Sequence, residues 1–157
     1  MLQHSINLIF LLLIWPGNWI NDELGVLENA KSFEYYSWQN YLTVVFFSLC
    51  VMTIPSAIAI PIIQIIFISY AFAYFVNYIS EIVKTKWVWL LYLVLLLPPV
   101  IYNNLYPLRI TMYTYIELIF LTWLYKKYKE KDLFDIKTVA ISAIMIFILA
   151  FWRSEGI

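Results

Sequence analysis

The chain has 157 residues, 64% of them hydrophobic and 20% aromatic, with 13% charged against about 25% in ordinary soluble domains. That composition predicts an integral membrane protein. Ten basic residues balance ten acidic ones, so net charge points to no nucleic-acid partner, and a single cysteine, Cys50, excludes an internal disulfide or a cysteine metal cage.

The first apolar run extends from Ile6 to Ile20. No basic residue precedes its Leu8 to Ile14 centre and no small-residue cleavage site follows, so it reads as a retained anchor rather than a leader. Pro16 and Gly17 break the run between Trp15 and Trp19, rings that favour a membrane-water boundary. Asp22-Glu23 comes next, the only adjacent carboxylate pair in the protein. Beyond it Leu24, Leu27, Ala30 and Phe33 recur every three residues, with Val26 beside them and Glu28, Asn29, Lys31, Ser32 and Glu34 on the other side. The pattern predicts a helix lying in the interface, its acids standing in water at the N-terminus where the helix dipole favours anions. Capping that helix and performing catalysis are both open roles for the pair.

Further apolar runs follow at Tyr41 to Ile54, Ile58 to Tyr78, Trp87 to Tyr102, Ile110 to Tyr125 and Thr138 to Trp152. In a bilayer all must be helical, because lipid offers no partner for open backbone groups. Several fall short of the roughly 20 residues of an upright span, although flanking Trp, Tyr and Lys extend their reach. Glu117 lies inside the Ile110 to Tyr125 run, where a charged acid costs about 2.5 to 3.5 kcal/mol. A bond to Gln64, Asn77 or Thr114 is the simplest expectation for it, ahead of a catalytic role.

The distribution of lysine fixes the expected sidedness. Lys84 and Lys86 lie in one connection, and Lys126, Lys127, Lys129, Lys131 and Lys137 lie in another two runs later. Both connections therefore share a side, which the positive-inside rule makes cytoplasmic. Six crossings starting inside would put those lysines outside, so one run should not cross. Tyr41 to Ile54, short and ended by Pro55-Ser56, is the candidate. The expected fold is all-α: one membrane domain over 1–157, a polytopic transmembrane helical bundle of about five spans. Interfacial juxtamembrane helices would occupy a first outer loop at 21–57. The rival arrangement has six spans with the N-terminus outside, moving the acid pair to the cytoplasm.

In the five-span arrangement the outer face also receives Asn103 to Arg109 and the tail Trp152 to Ile157. Arg109 and Arg153 then stand at span ends on the side of the acids. Guanidinium groups there suit a phosphate or pyrophosphate, which they grip with paired hydrogen bonds, although snorkelling to headgroups explains either arginine alone. Three glycines outside any Gly-rich run and a lone His4 argue against a nucleotide-hydrolysing transporter subunit, a zinc protease and a serine-histidine hydrolase.

A first span, an outer loop opening on an acid pair, an interfacial helix and then Trp38-Gln39-Asn40-Tyr41-Leu42-Thr43 together resemble the N-terminal half of the GT-C superfamily. These are membrane glycosyltransferases using polyprenyl-phosphate sugars, protein O-mannosyltransferases and aminoarabinose transferases among them. The family's loop acids match Asp22 and Glu23, and its Arg-x-Glu-Gly-like span end matches Arg153 to Gly156. Gln39 and Asn40 stand where the family usually has His and Pro.

The resemblance implies Asp22 and Glu23 as catalytic residues, with Arg153, Arg109, Trp38, Gln39 and Glu155 binding substrate. A divalent metal at the acids, as in some families, is open. Implied partners are a polyprenyl-phosphate sugar donor in the membrane and a glycan, lipid or protein acceptor, at the outer face of a bacterial plasma membrane. The superfamily's members are longer, so this chain is expected to be the front part of a larger enzyme and inactive alone. A polysaccharide polymerase, ligase or flippase, or a non-enzymatic multi-span protein, shares the composition without needing the acid pair.

Overall fold

The computed structural model describes residues 2–15, 17, 19, 21–32, 34, 41–107 and 109–152, with side chains for all of these except 2–6, Asp22 and Arg109. Every described element is helical. In chain order they are α1 (Leu2–Leu13), α2 (Asn21–Ser32), α3 (Tyr41–Thr53), α4 (Ala59–Val83), a 3-10 helix (Lys86–Leu96), α5 (Pro98–Leu105), α6 (Arg109–Glu130) and α7 (Ile136–Trp152).

Local chemistry sets most of the boundaries. Helix α1 ends in a turn closed by Gly17 N–H donating to Ile14 O at 2.8 Å, and Gly17 takes φ +112°, which only glycine adopts freely. Pro61 sits in the first turn of α4, where an N–H would have no helical acceptor. Helices α4 and α6 each close on a lysine in the left-handed region, Lys84 at φ +51° and Lys131 at φ +62°. These are positions where glycine is usual.

The Trp87 to Tyr102 run, expected as one straight span, is instead two helices bent by 67°. Leu97 between them is extended, the conformation that Pro98 imposes on its predecessor, and Pro98 then starts α5. Eleven residues of 3-10 helix rise about 22 Å, against about 16 Å for an α-helix, so a short run reaches further. Among the described residues one helix, α4, is long and apolar enough to cross a membrane, and the bent pair would make a second; α3 and α7 are apolar but shorter.

Contacts fix the directions of these elements. A Cβ placed on Gly17, just past α1, would lie 3.1 Å from Pro61 Cγ and 3.7 Å from Leu105 O. The end of α1, the start of α4 and the end of α5 therefore meet. Gln64 bonds to carbonyls just before α6, while Tyr78 and Tyr125 pair at 6.1 Å near the other ends of α4 and α6; these two helices run parallel. Trp152, closing α7, clusters with Met112 and Ile116 early in α6, so α7 returns antiparallel. The bundle thus has an acid end and a lysine end, with α1, α4, the bent pair, α6 and α7 running alternately between them.

Helices α2 and α3 form an inserted pair at the acid end. Val26, Leu27 and Ala30 cluster with Val44, Phe47, Cys50, Ala59 and Ile60, and Ser48 Oγ donates to Ala30 O at 3.1 Å. The expected apolar side of α2 is thus covered at Val26, Leu27 and Ala30, and departs from expectation at Leu24 and Glu23. The buried line is Glu23, Val26, Leu27 and Ala30, whereas Leu24 is 42% exposed and Phe33 lies outside the described residues. A period of 3.6 puts positions 23, 26, 27 and 30 on one side, and α3 rather than lipid supplies the apolar surface that covers them. Glu23, expected in water, is 5% exposed.

Candidate functional site at the acid end

The site grows from Gln64, fully buried in the second turn of α4. An amide in so apolar a helix must find partners inside the protein. Its Nε2 donates to Asn104 O at 2.9 Å and to Tyr106 O at 2.7 Å, the last carbonyls of α5 and its connection, which the helix cannot satisfy itself. Asn104 is 2% exposed, and its Oδ1 accepts from Tyr115 Oη at 3.1 Å. Thr111 Oγ1 donates to Asn103 O at 3.0 Å. One amide side chain thus ties α4 to the corner between α5 and α6, and one phenol ties that corner to α6.

The acid-pair segment seats on this corner. Gly17 is bracketed by Pro61, Trp19 and Leu105, and Trp19 stands edge-on to Phe47 of α3 at 6.4 Å, while Trp15 stays exposed. Of the two boundary tryptophans, one therefore packs inward. Glu23 faces Tyr106 closely enough that its charge adds to the shift of that phenol. Burial foremost, then Tyr102 with its ring 5.5 Å away, then Glu23 push Tyr106 above the ordinary tyrosine range. Asn104 Nδ2 and Gln64 Oε1 keep hydrogen-bonding capacity that no described protein group uses.

Of the predicted site residues, Glu23 is buried at the start of α2, within electrostatic reach of Tyr106. Asp22 and Arg109 have described backbones, at the first turn of α2 and the start of α6, but their side chains lie outside the description. Trp38, Gln39, Arg153 and Glu155 lie outside the described residues altogether. Trp152, next to Arg153, packs on Phe46 at 5.5 Å. Among the described residues no group of three or more His, Cys, Asp or Glu side chains is placed to hold a metal.

Glu117 is half-buried in α6, and two of its expected partners are engaged elsewhere. Gln64 Nε2 serves the α5 corner, and the Thr114 hydroxyl donates back to Ile110 O within its own helix at 2.9 Å. In the sequence Gln64 was legible only as a partner for Glu117, Asn104 and Tyr106 only as members of the 103–109 connection, and Tyr115 not at all. The available signal was a glutamine in the apolar first two turns of a 25-residue helix, since a polar group at that depth requires a specific partner.

Comparison with protein-family models, with curated proteins and with solved structures returns no match to this chain.

Proposed function

We propose that the chain forms a membrane-embedded glycosyltransferase domain that moves a sugar from a polyprenyl-phosphate donor to an acceptor at the outer face of a bacterial plasma membrane. In this reading α1, α4, the bent pair, α6 and α7 are five crossings, and α2 with α3 is the juxtamembrane insert of the first outer loop. The observation that carries the reading is the meeting of the acid-bearing segment with the α5–α6 corner. The Gly17 turn lies against Leu105, four residues before Arg109, and the Glu23 charge is near enough to be felt by Tyr106.

The chemistry follows from the residue types. Asp22 takes the proton from the acceptor hydroxyl or amide as that atom attacks the anomeric carbon, inverting it. The bond from that carbon to the phosphate oxygen breaks, and the lipid phosphate leaves with the electron pair. Arg109 and Arg153 stabilise the charge growing on it. Glu23, being buried, positions the turn that carries Asp22 instead of meeting the acceptor. Asp22→Asn in the natural full-length protein is expected to lower transfer from a polyprenyl-phosphate sugar by roughly 100-fold or more, with unchanged donor binding. Transfer at the parental rate would remove the proposal.

The burial of Glu23 also favours a second reading, in which the acid end is a structural joint of a non-enzymatic multi-span protein. In that case polyprenyl phosphate does not bind, and Asp22→Asn changes neither binding nor assembly.

A further inference from the structure

The end remote from the acids carries its own unexplained chemistry. Phe134 and Ile136 are 90% and 81% exposed, the most exposed large apolar side chains among the described residues. Phe134 sits in the tight connection between α6 and α7 and Ile136 opens α7, where Lys131 in the left-handed region and the Asp135 N–H to Asp132 O bond turn the chain. No described residue covers them; Asp135 stands between them, and Lys131 and Lys137 flank the segment.

Charge says what kind of surface would. Seven lysines, Lys84, Lys86 and the five from Lys126 to Lys137, face four acids at this end, Glu81, Glu130, Asp132 and Asp135. Lys127 binds Glu130 at 2.6 Å and stands 3.8 Å from Asp132, so one lysine is shared between two acids, and the seven lysines still outnumber the four acids at this end. Lys129 lies over the Tyr125 ring at 5.6 Å. Lys84, Lys86, Lys131 and Lys137 remain exposed at this end, Lys131 and Lys137 within three residues of the two apolar side chains.

We propose that the 131–137 turn seats on an anionic lipid surface, Phe134 and Ile136 entering the acyl boundary while Lys84, Lys86, Lys131 and Lys137 meet lipid phosphates. Apolar side chains flanked by cations bind such interfaces through both terms together, and neither term alone selects anionic from zwitterionic lipid as strongly. A partner protein would need an acidic rim around an apolar pocket; the lipid surface supplies both without further shape. The proposal stands whether or not the acid end is catalytic.

The test uses the full chain carrying Phe134→Cys and Cys50→Ala, labelled with a polarity-sensitive fluorophore and reconstituted in vesicles of phosphatidylcholine with or without phosphatidylglycerol. The label should be blue-shifted and quenched by spin-labelled acyl chains when phosphatidylglycerol is present, and should return to a water-like spectrum at high salt. Lys131→Gln and Lys137→Gln should each lower the seated-to-free ratio roughly fivefold. A water-like label in both vesicles overturns the proposal, as does equal seating in both. A blue shift without lipid quenching also overturns it and assigns the turn to a protein surface. With no label, phosphatidylglycerol but not phosphatidylcholine should raise the melting temperature of the detergent-solubilised native chain; equal shifts contradict the proposal.

Discussion

The two ends of the bundle handle polar groups in opposite ways. At the acid end polar side chains are drawn inside: Gln64, Asn104 and Glu23 are each at most 5% exposed, and Gln64 bridges two carbonyls. At the lysine end they remain in water, and the clearest pair, Lys127 with Glu130, is a surface contact of the kind that contributes little to stability. Hydrogen bonds in a dry interior hold a fold together, whereas exposed charges set only its sidedness and its partners. The acid end should therefore govern stability, and the lysine end orientation.

Mutations sharpen that contrast. Gln64→Leu keeps the size and leaves the Asn104 and Tyr106 carbonyls buried without their donor, so we expect a loss of about 2–5 kcal/mol in reversible unfolding in detergent. Retention of wild-type stability would mean that the amide bridge is dispensable. Gly17→Ala should lose about 1–3 kcal/mol, because φ is +112° and the new Cβ would press on Pro61 Cγ at 3.1 Å.

The lysine end should answer with gains. Lys131→Gly relieves a left-handed residue at φ +62° and should stabilise by up to about 1 kcal/mol, less whatever the lysine charge contributes at the helix C-terminus. A fall in melting temperature would show that the charge outweighs the backbone strain.

Much of this layout was legible in the sequence. The turn at Pro16-Gly17, the start of α2 at the acids, the interruption at Pro55 and the two lysine connections each carry an unambiguous local signal, and each lies at or beside a helix boundary. The bend at Leu97 was also written in Pro98-Pro99 but was overridden by the apolar run around it. What could not be read was where the covered side of α2 ends. Leu24 and Val26 both belong to the apolar side, and only the position of α3, a long-range contact, buries Val26 and leaves Leu24 exposed. The Gln64 bridge is hidden for the same reason, since its acceptors are backbone carbonyls 40 and 42 residues away.

The smallest expected effect is spectroscopic. Tyr106 has a folded pKa raised by burial, Tyr102 and Glu23, so its contribution to stability is complete below the ordinary tyrosine value and is lost as pH rises through the raised one. Glu23→Gln removes one cause, and the Tyr106 phenol should then titrate at a lower pH, as followed by NMR of fluorotyrosine with Tyr106→Phe for assignment. An unchanged titration would mean that Glu23 does not face that ring as a charge.

The most direct measurement is the sidedness of the two ends in intact cells. Cys50 is buried in α3, and burial pushes its thiol up to about 12, so it gives no background to added cysteines. Asn21→Cys at the acid end and Asp135→Cys at the lysine end would each be treated with an impermeant thiol reagent. The expected result is labelling of Asn21→Cys in intact cells and of Asp135→Cys only after permeabilisation. Labelling of both from one side, or the reverse order, would contradict the account and remove the outer-face site with it.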